Sequence, residues 1–177
     1  VVDAACGLGA RTFFLTGGEP LLHPDFPAIC RHILGKKEDT RLVILTNGIL
    51  VPEQIGFLQS LPGERLFLQI SVDGIEEVND ALRGKGIFRK LLACFNILSG
   101  TGMTTTLSMV VHADNHHQMP DIVDLAADYN LGGVHYMWLF VTGKAAPQAF
   151  VPPEVLFDRL LICQERAQKG RVTIDNI

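Results

Sequence analysis

The stretch FLTGGEPLL, residues 14–22, decides the fold, because a short apolar run ends in it and a sharp turn begins. The apolar run is β-rich and predicts a strand. Gly17 and Gly18 let a ligand approach the backbone closely and leave its amides and carbonyls free. Glu19 adds a carboxylate that could meet an ammonium group, and Pro20 fixes the exit from the turn. Taken alone, an ordinary strand-to-helix turn explains these residues equally well.

Outward from this turn, β-rich runs alternate with amphipathic helical runs along the chain. Each strand-and-helix unit is roughly 25 to 35 residues long, which favours right-handed crossovers and a parallel sheet. Strands are predicted at residues 11–16, 41–46, 66–72, 104–111 and 133–141, with residues 171–175 as one more strand or a lead into a later element. Helices are predicted from residue 1 to 7 or 9, and at residues 24–35, 52–61, 88–98, 119–129 and 154–169.

Polar residues and glycines gather where the predicted strands end. Ligands of parallel α/β sheets bind at the carboxyl ends of the strands, so these clusters predict a binding site. Ser71 and Asp73 alternate along the third strand and therefore share one face. In chain order the clusters are Thr16 to Pro20, Thr46-Asn47-Gly48, Ser71-Val72-Asp73-Gly74, His112 to Asn115 and Thr142-Gly143-Lys144.

The composition excludes several classes of protein. Of 177 residues, 47% are hydrophobic and 19% are charged, a balance that excludes a disordered chain. The net charge is −4 and the basic residues are scattered, which argues against a nucleic-acid partner. No apolar stretch is long enough to cross a bilayer, and the first residues lack the basic start of a signal peptide. We therefore expect a cytoplasmic protein with no membrane partner.

The four cysteines lie far apart and lack the spacing of a zinc or iron–sulfur site. Each lies in a helix-like apolar pattern, which predicts a small buried hydrophobic side chain: Cys6, Cys30, Cys94 and Cys163. A second group invites a metal-site interpretation, but its irregular spacing in a loop favours solvated or helix-capping side chains: His112, Asp114, His116 and His117.

The opening stretch, followed by Asp25-Phe26, resembles the glycine-glycine-glutamate-proline motif of radical SAM enzymes, which use S-adenosylmethionine (SAM). Further segments match the same family in order, namely residues 45–48, residues 71–74, and residues 79–84 with Phe88. The resemblance covers about residues 1 to 145. It implies an α/β fold, a partial TIM-like (β/α)6 barrel of parallel strands.

The resemblance implies a contact with SAM for each matching residue. The backbone around Gly17 and Gly18 would hold the amino group of the methionine moiety, and Arg83 would meet its carboxylate. Ser71 and Asp73 would lie near the ribose and the methionine part. No catalytic side chain and no metal ligand is predicted, and the cofactor-binding residues are Thr16, Gly17, Gly18, Glu19, Pro20, Asn47, Ser71, Asp73, Arg83, Val111 and Leu139, the last two as adenine contacts by position alone.

Simpler interpretations of these residues stay open at this point. Arg83 lies in a polar loop, where an unpaired surface arginine is the ordinary case. Asp73 could cap the turn at Gly74, and Asn47 could be a turn residue before a glycine. Three aromatic residues on or beside the fifth strand are best explained by core packing, although an inward member could line the adenine or substrate region: His135, Tyr136 and Trp138.

One part of the family's pattern is missing from this sequence. Radical SAM enzymes hold a catalytic 4Fe–4S cluster through a CxxxCxxC motif just after the first barrel strand, which would lie before Val1. None of the four cysteines can replace that motif, and the first helix has no strand before it. We therefore expect a barrel that lacks its first strand, a cluster present only in the parent protein, and a fragment that is inactive by itself.

By resemblance, the parent function is reductive cleavage of SAM to a 5′-deoxyadenosyl radical, with an electron donor such as flavodoxin or ferredoxin. Residues 71–74 and 79–84 are most similar to the SPASM branch, which includes many peptide maturases, so peptide or protein modification is expected. Residues 1–148 would form the partial barrel, and residues 149–177 a helix and bridge toward a C-terminal extension. The alternatives are a cofactor-biosynthesis or activating enzyme acting on a small molecule, and a non-catalytic binding domain derived from the barrel.

Overall fold

The computed structural model describes residues 1–139 and 147–176. The described residues form one six-stranded sheet in the order β1-β2-β3-β4-β5-β6, in which every neighbouring pair is parallel. This confirms the predicted fold class. The strands are β1 (Thr12–Leu15), β2 (Arg41–Thr46), β3 (Leu66–Ser71), β4 (Thr104–Val111), β5 (Gly133–Trp138) and β6 (Thr173–Ile174). The helices are α1 (Val2–Gly7), α2 (Phe26–Leu34), α3 (Val51–Gln59), α4 (Glu76–Arg83), α5 (Ile87–Ser99), α6 (Met119–Asp128) and α7 (Pro153–Gly170).

The two faces of the sheet have different surroundings. Alternate residues of the central strands are buried in one core cluster together with the apolar side chains of the helices, as Ile44, Leu68 and Met109 illustrate. The residues between them, such as Val43 and Phe67, are only half-buried and form the inner face. A fully buried aliphatic side chain stabilises a fold by about 1.5 to 3 kcal/mol, so the face covered by helices holds the sheet together.

Helix α4 corrects the expectation that residue 83 lies in a polar loop. Glu76 and Glu77 occupy the first turn of this helix, where negative charge is favourable. Gly84 ends the helix with φ 112°, a conformation that suits glycine. The sequence did not reveal this helix because its buried residue is Asn79, so the helix lacks the buried apolar side chains that a helical pattern depends on. Arg83 is therefore the last residue of a helix, with its backbone fixed.

Several predicted boundaries differ from the observed ones by a residue or more. The first strand ends at Leu15 and the third at Ser71, so the motif residues that follow belong to loops. The fifth strand was expected to continue to residue 141, but its described part ends at Trp138. The expected cluster Thr142-Gly143-Lys144 lies outside the described residues. The division of the chain at residue 148 stays a prediction.

Three of the four cysteines are buried in helices, as predicted. Cys30, Cys94 and Cys163 are wholly buried, whereas Cys6 is only half-buried, which corrects the prediction for that residue. Burial raises the pKa of the Cys30 and Cys94 thiols to about 12. Among the residues that the structure describes, no helix combines the length and the hydropathy required to cross a membrane.

Candidate functional site

The loop after β1 presents open backbone at the carboxyl end of the sheet. Thr16, Gly17 and Gly18 are exposed, and a Cβ added to either glycine would meet nothing within 4 Å. Gly17 has φ 148°, which strains a residue with a side chain. The space that side chains would fill is therefore left free, and a ligand can approach the main chain.

Glu19 connects this loop to the end of β2 through hydrogen bonds. Its Oε1 accepts a hydrogen bond of 2.6 Å from the Thr46 hydroxyl and one of 3.2 Å from the Leu21 amide. Its Oε2 accepts one of 2.8 Å from the Asn47 amide. Pro20 then begins a short 3-10 turn. The carboxylate that was expected to meet an ammonium group thus binds the chain itself, and hydrogen bonds to a charged group typically contribute about 1.5 to 3 kcal/mol each.

The end of β2 is a tight turn with little room for change. Oδ1 of Asn47 accepts a hydrogen bond of 2.9 Å from the Ile49 amide, so its observed contact is the turn contact. Gly48 has φ 80°, and a Cβ there would lie 2.9 Å from Ile70 and 3.0 Å from Leu91. Glycine is required at this position by both conformation and space.

Asp73 and Arg83 form an ion pair at the end of β3. Nη2 of Arg83 lies 2.8 Å from Oδ2 of Asp73, and their side chains are 25% and 13% exposed. Oδ1 of Asp73 also accepts a hydrogen bond of 3.3 Å from the Val110 amide of β4. Arg83 is therefore not the unpaired surface arginine of the simpler interpretation, and the structure brings two predicted residues together. Its Nε is buried without a hydrogen-bond partner in the described part of the chain, so part of its donor capacity is unused.

Two buried amides, which the sequence analysis missed, hold Asp73 in place. Oδ1 of Asn79 accepts a hydrogen bond of 3.1 Å from the Asp73 amide. Nδ2 of Asn115 donates to the Asp73 carbonyl at 3.0 Å and to the Val110 carbonyl at 2.8 Å, while its Oδ1 accepts from the His112 amide at 2.8 Å. Both asparagines are completely buried. Their position in polar runs gave the sequence no signal of burial.

Asp80 fixes the turn that follows Arg83. Its carboxylate accepts hydrogen bonds from the Phe88 amide at 2.8 Å and from the Gly86 amide. These backbone hydrogen bonds, with that of Phe88 first, hold the pKa of Asp80 below its usual value. The carboxylate therefore acts within the chain, connecting α4 to the start of α5.

The remaining predicted residues lie at the same end of the sheet, but not all on the same face. Ser71 is half-buried on the inner face, and the buried Val72 separates it from Asp73, as the alternation predicted. Val111 and Leu139 line a small apolar pocket at the ends of β4 and β5, together with Trp138, Phe150, Val151 and Leu156. Val111 follows Val110, whose amide donates to Asp73, but the Val111 side chain is buried on the face covered by helices.

Metal ligands are not assembled within residues 1–139 and 147–176. No group of three or more histidine, cysteine or acidic side chains there could hold a metal ion. Nδ1 of His112 lies 3.6 Å from Oδ2 of Asp114, and the His116 and His117 rings pack edge to face at 6.0 Å. Burial lowers the pKa of His116. The cysteines, separate and mostly buried, do not fit an iron–sulfur cluster either.

Comparison with known proteins identifies a family and several relatives. The sequence profile described as the Radical SAM superfamily matches residues 1–126. GTP 3′,8-cyclase 1 of Mycobacterium tuberculosis is 28% identical over 163 residues, which cover 82% of this chain and 45% of that protein. The AdoMet-dependent heme synthase of Methanosarcina barkeri is 30% identical over 155 residues, covering 86% of this chain and 43% of the synthase.

Solved structures share the fold at low sequence identity. Streptococcus suis SuiB bound to S-adenosylmethionine superposes with a TM-score of 0.80 at 15% identity, covering 98% of this chain and 40% of SuiB. SuiB bound to its precursor peptide SuiA gives a TM-score of 0.79 at 14% identity, covering 98% and 39%. The chain thus spans less than half the length of each of these three proteins.

Proposed function

Because this chain belongs to the radical SAM superfamily, we propose that the carboxyl ends of its strands bind S-adenosylmethionine within a larger radical SAM enzyme. In that family, bound SAM is the source of a 5′-deoxyadenosyl radical that abstracts hydrogen from a substrate. The residues of this chain bind and orient the cofactor and exclude water from it. The iron–sulfur cluster of the family does not fit the cysteines of this chain, so the contacts proposed here are those that this chain's own residues would make with SAM.

The Asp73–Arg83 ion pair is the observation that carries this proposal. It fixes a guanidinium at the end of β3, and the Arg83 side chain, 25% exposed, has further N–H donors for a ligand carboxylate. The exposed backbone of Gly17 and Gly18 would receive the amino group of the same methionine moiety. Ser71 would contact the ribose from the inner face. Thus one amino acid moiety would meet complementary groups from two places, the loop after β1 and the end of α4.

The adenine ring is proposed to pack against Val111 and Leu139 because of their position at the ends of β4 and β5; the pocket that they line is small, about 20 Å³, and takes only an edge of the ring. The apolar pocket that contains Val111 and Leu139 adjoins Val110, whose amide contacts Asp73. Burying an aromatic base against such side chains contributes through the apolar area that is removed from water. We assign these two residues to the adenine. Glu19, Pro20 and Asn47 would support the loops, whose open main chain begins at Thr16.

A peptide is the substrate class that we propose first. The likeness to SuiB, which has been solved with its precursor peptide SuiA, supports it at the level of the fold. A small-molecule substrate is the alternative, because the relatives include a GTP 3′,8-cyclase and a heme synthase. An external electron donor, a bridging role for residues 149–177, the SPASM branch and a cytoplasmic location stay predictions.

Equilibrium dialysis with labelled SAM tests the proposal. Arg83→Gln removes the ion pair and the carboxylate contact, so we expect SAM affinity to fall about tenfold or more, equal to at least about 1.4 kcal/mol. Arg89→Gln is the matched control, since Arg89 is 85% exposed and lies 3.9 Å from Glu76. Equal SAM binding by the Arg83→Gln variant and the unmodified protein would falsify the assignment of Arg83.

A further inference from the structure

The inner face of the sheet bounds a cavity separate from the proposed SAM site. It has a volume of about 290 Å³ and lies along the middle of the strands. One part of its lining is apolar and includes Phe14, Val43 and Phe67. The other part is polar and comprises Gln69, Thr106, His135 and Asp175. A lining of this mixed kind suits a ligand that has both an apolar body and a hydrogen-bonding group.

The polar part continues into a row of side chains that crosses four strands. Ser71 of β3 is in register with Ser108 of β4, and Ser108 with His135 of β5. Asp175 follows β6 at the position opposite His135, because Val134 pairs with Ile174. Neighbouring strands lie about 4.8 Å apart, so the four residues form a continuous row on the inner face. We call Ser71, Ser108, His135 and Asp175 the polar row.

Side-chain hydrogen bonds orient the members of this row. Nε2 of Gln69 donates to the Ser108 hydroxyl at 3.0 Å. Nδ1 of His135 lies 2.6 Å from Oδ1 of Asp175. In a neutral imidazole one nitrogen donates and the other accepts. With its Nδ1 proton directed to Asp175, His135 offers Nε2 to a ligand as a hydrogen-bond acceptor.

The backbone around Asp175 shows that this geometry is built into the fold. The Asp175 amide donates to the Val134 carbonyl at 3.2 Å, which extends the pairing of β5 with β6. The side chain of Asn176 then binds both backbone groups of Tyr136, accepting from its amide at 3.2 Å and donating to its carbonyl. Asp175 therefore lies between Ile174, which pairs with Val134 in the sheet, and Asn176, which binds Tyr136, and its carboxylate is directed at the imidazole.

The charge of the cavity restricts the chemistry of its ligand. Among the described residues, those that line it include Asp175 and His135 but neither lysine nor arginine. Recognition of phosphate or of several carboxylates in proteins relies on such cations. The lining therefore disfavours nucleotides and polycarboxylates. Because the Asp175 carboxylate is already paired with Nδ1 of His135, the acceptor left for a ligand is Nε2 of His135, which an uncharged N–H or O–H donor satisfies.

We propose that this cavity binds an uncharged, hydrogen-bond-donating segment of a peptide substrate, with His135 as the binding residue and Asp175 as the residue that positions its ring. This inference rests on the proposed function and deepens it by naming the substrate side of the site. The polar row supplies the connection, since Ser71 at its first position is one of the residues assigned to SAM.

The test uses two blocked pentapeptides as probes, Gly-Gly-Asn-Gly-Gly and its anionic counterpart Gly-Gly-Asp-Gly-Gly, together with GTP. Binding is followed by NMR of the histidine imidazoles in the 15N-labelled protein without SAM. We expect the asparagine peptide to shift the His135 signals and to bind about tenfold more tightly than the aspartate peptide, a difference of about 1.4 kcal/mol. His32 is the matched control, because its Nε2 lies 3.3 Å from Asp3 in a pair on the outer surface.

Variants separate binding from positioning. His135→Gln should abolish most of the affinity for the asparagine peptide, and His32→Gln should leave it unchanged. Asp175→Ala should move the His135 proton from Nδ1 toward Nε2, as read from the 15N shifts, and Asp175→Asn should restore part of the original tautomer. This tautomer signal also checks the positioning role in a variant whose affinity is lost.

Three results would overturn the inference. The first is a change in the His135 NMR signals with GTP or the aspartate peptide that equals the change with the asparagine peptide. The second is an unchanged affinity of the His135→Gln variant for the asparagine peptide. The third is no change in the His135 signals at millimolar asparagine peptide. SAM binding by the same samples is measured separately. Loss of the peptide response with intact SAM binding contradicts this inference alone, whereas failure to bind SAM contradicts the proposed function.

Discussion

Replacing Asn115 by alanine should destabilise the protein by about 3 kcal/mol. The side chain of this buried residue makes three hydrogen bonds, to the carbonyls of Asp73 and Val110 and from the amide of His112, at 3.0, 2.8 and 2.8 Å. Leaving a buried group without its partner costs about 1 to 3 kcal/mol. We take about 1 kcal/mol for each bond because the three partner residues are only partly buried.

Urea unfolding, followed by circular dichroism, measures this effect. With a slope near 2 kcal/mol per molar urea, a loss of about 3 kcal/mol lowers the midpoint by about 1.5 M without changing the slope. Asn96→Ala is the control, because Asn96 is an exposed residue in the middle of α5. If the Asn115→Ala midpoint falls no more than that of the control, the three hydrogen bonds contribute no net stability and the reasoning is refuted.

Three further predictions concern separate parts of the chain. Gly48→Ala should lower the free energy of unfolding by about 2 to 4 kcal/mol, through its positive φ and the crowding of a new Cβ, as measured by urea unfolding. The pKa of Asp80 is lowered on folding, chiefly by the Phe88 amide, so the stability that its carboxylate contributes is present above the unfolded pKa and is lost as the pH falls through the folded pKa. The difference in unfolding free energy between the unmodified protein and Asp80→Asn should therefore shrink below about pH 4. A difference that grows below this pH would contradict the prediction. Because burial raises the pKa of the Cys30 and Cys94 thiols, iodoacetamide at pH 8 should label them only after unfolding, as mass spectrometry would show; rapid labelling in the native protein would be inconsistent with burial.

The sheet could be predicted from the sequence because its signals are local. The apolar runs at β2, β3 and β4 are long and end at glycine or asparagine turns, so their order and direction follow from alternation with helices. The family motif around Gly17 and Gly18 is likewise recognised from residues that are adjacent in the sequence. For these elements, a short window of sequence contains the physical cause of the structure.

The contacts within the site could not be predicted because they join distant residues. The pairing of Asp73 with Arg83 depends on helix α4, which has a buried asparagine where a helix pattern requires an apolar residue. Burial of Asn115 depends on the meeting of β3 and β4. His135 was assigned to core packing, yet it lies half-buried on the inner face, whereas Tyr136 beside it is completely buried. Strand alternation alone does not tell which face the helices cover.

The sequential strand order has a consequence for how the protein is made. Among the described residues, each of the strands β2 to β6 pairs with the strand that precedes it in the chain, so none of these five waits for a partner that has not yet been synthesised. At about 5 to 20 residues per second, one strand-and-helix unit leaves the ribosome within seconds, which is ample time for the new strand to join the sheet. The sheet can therefore grow from its amino-terminal side during translation, and an unpaired edge is exposed only until the next strand arrives.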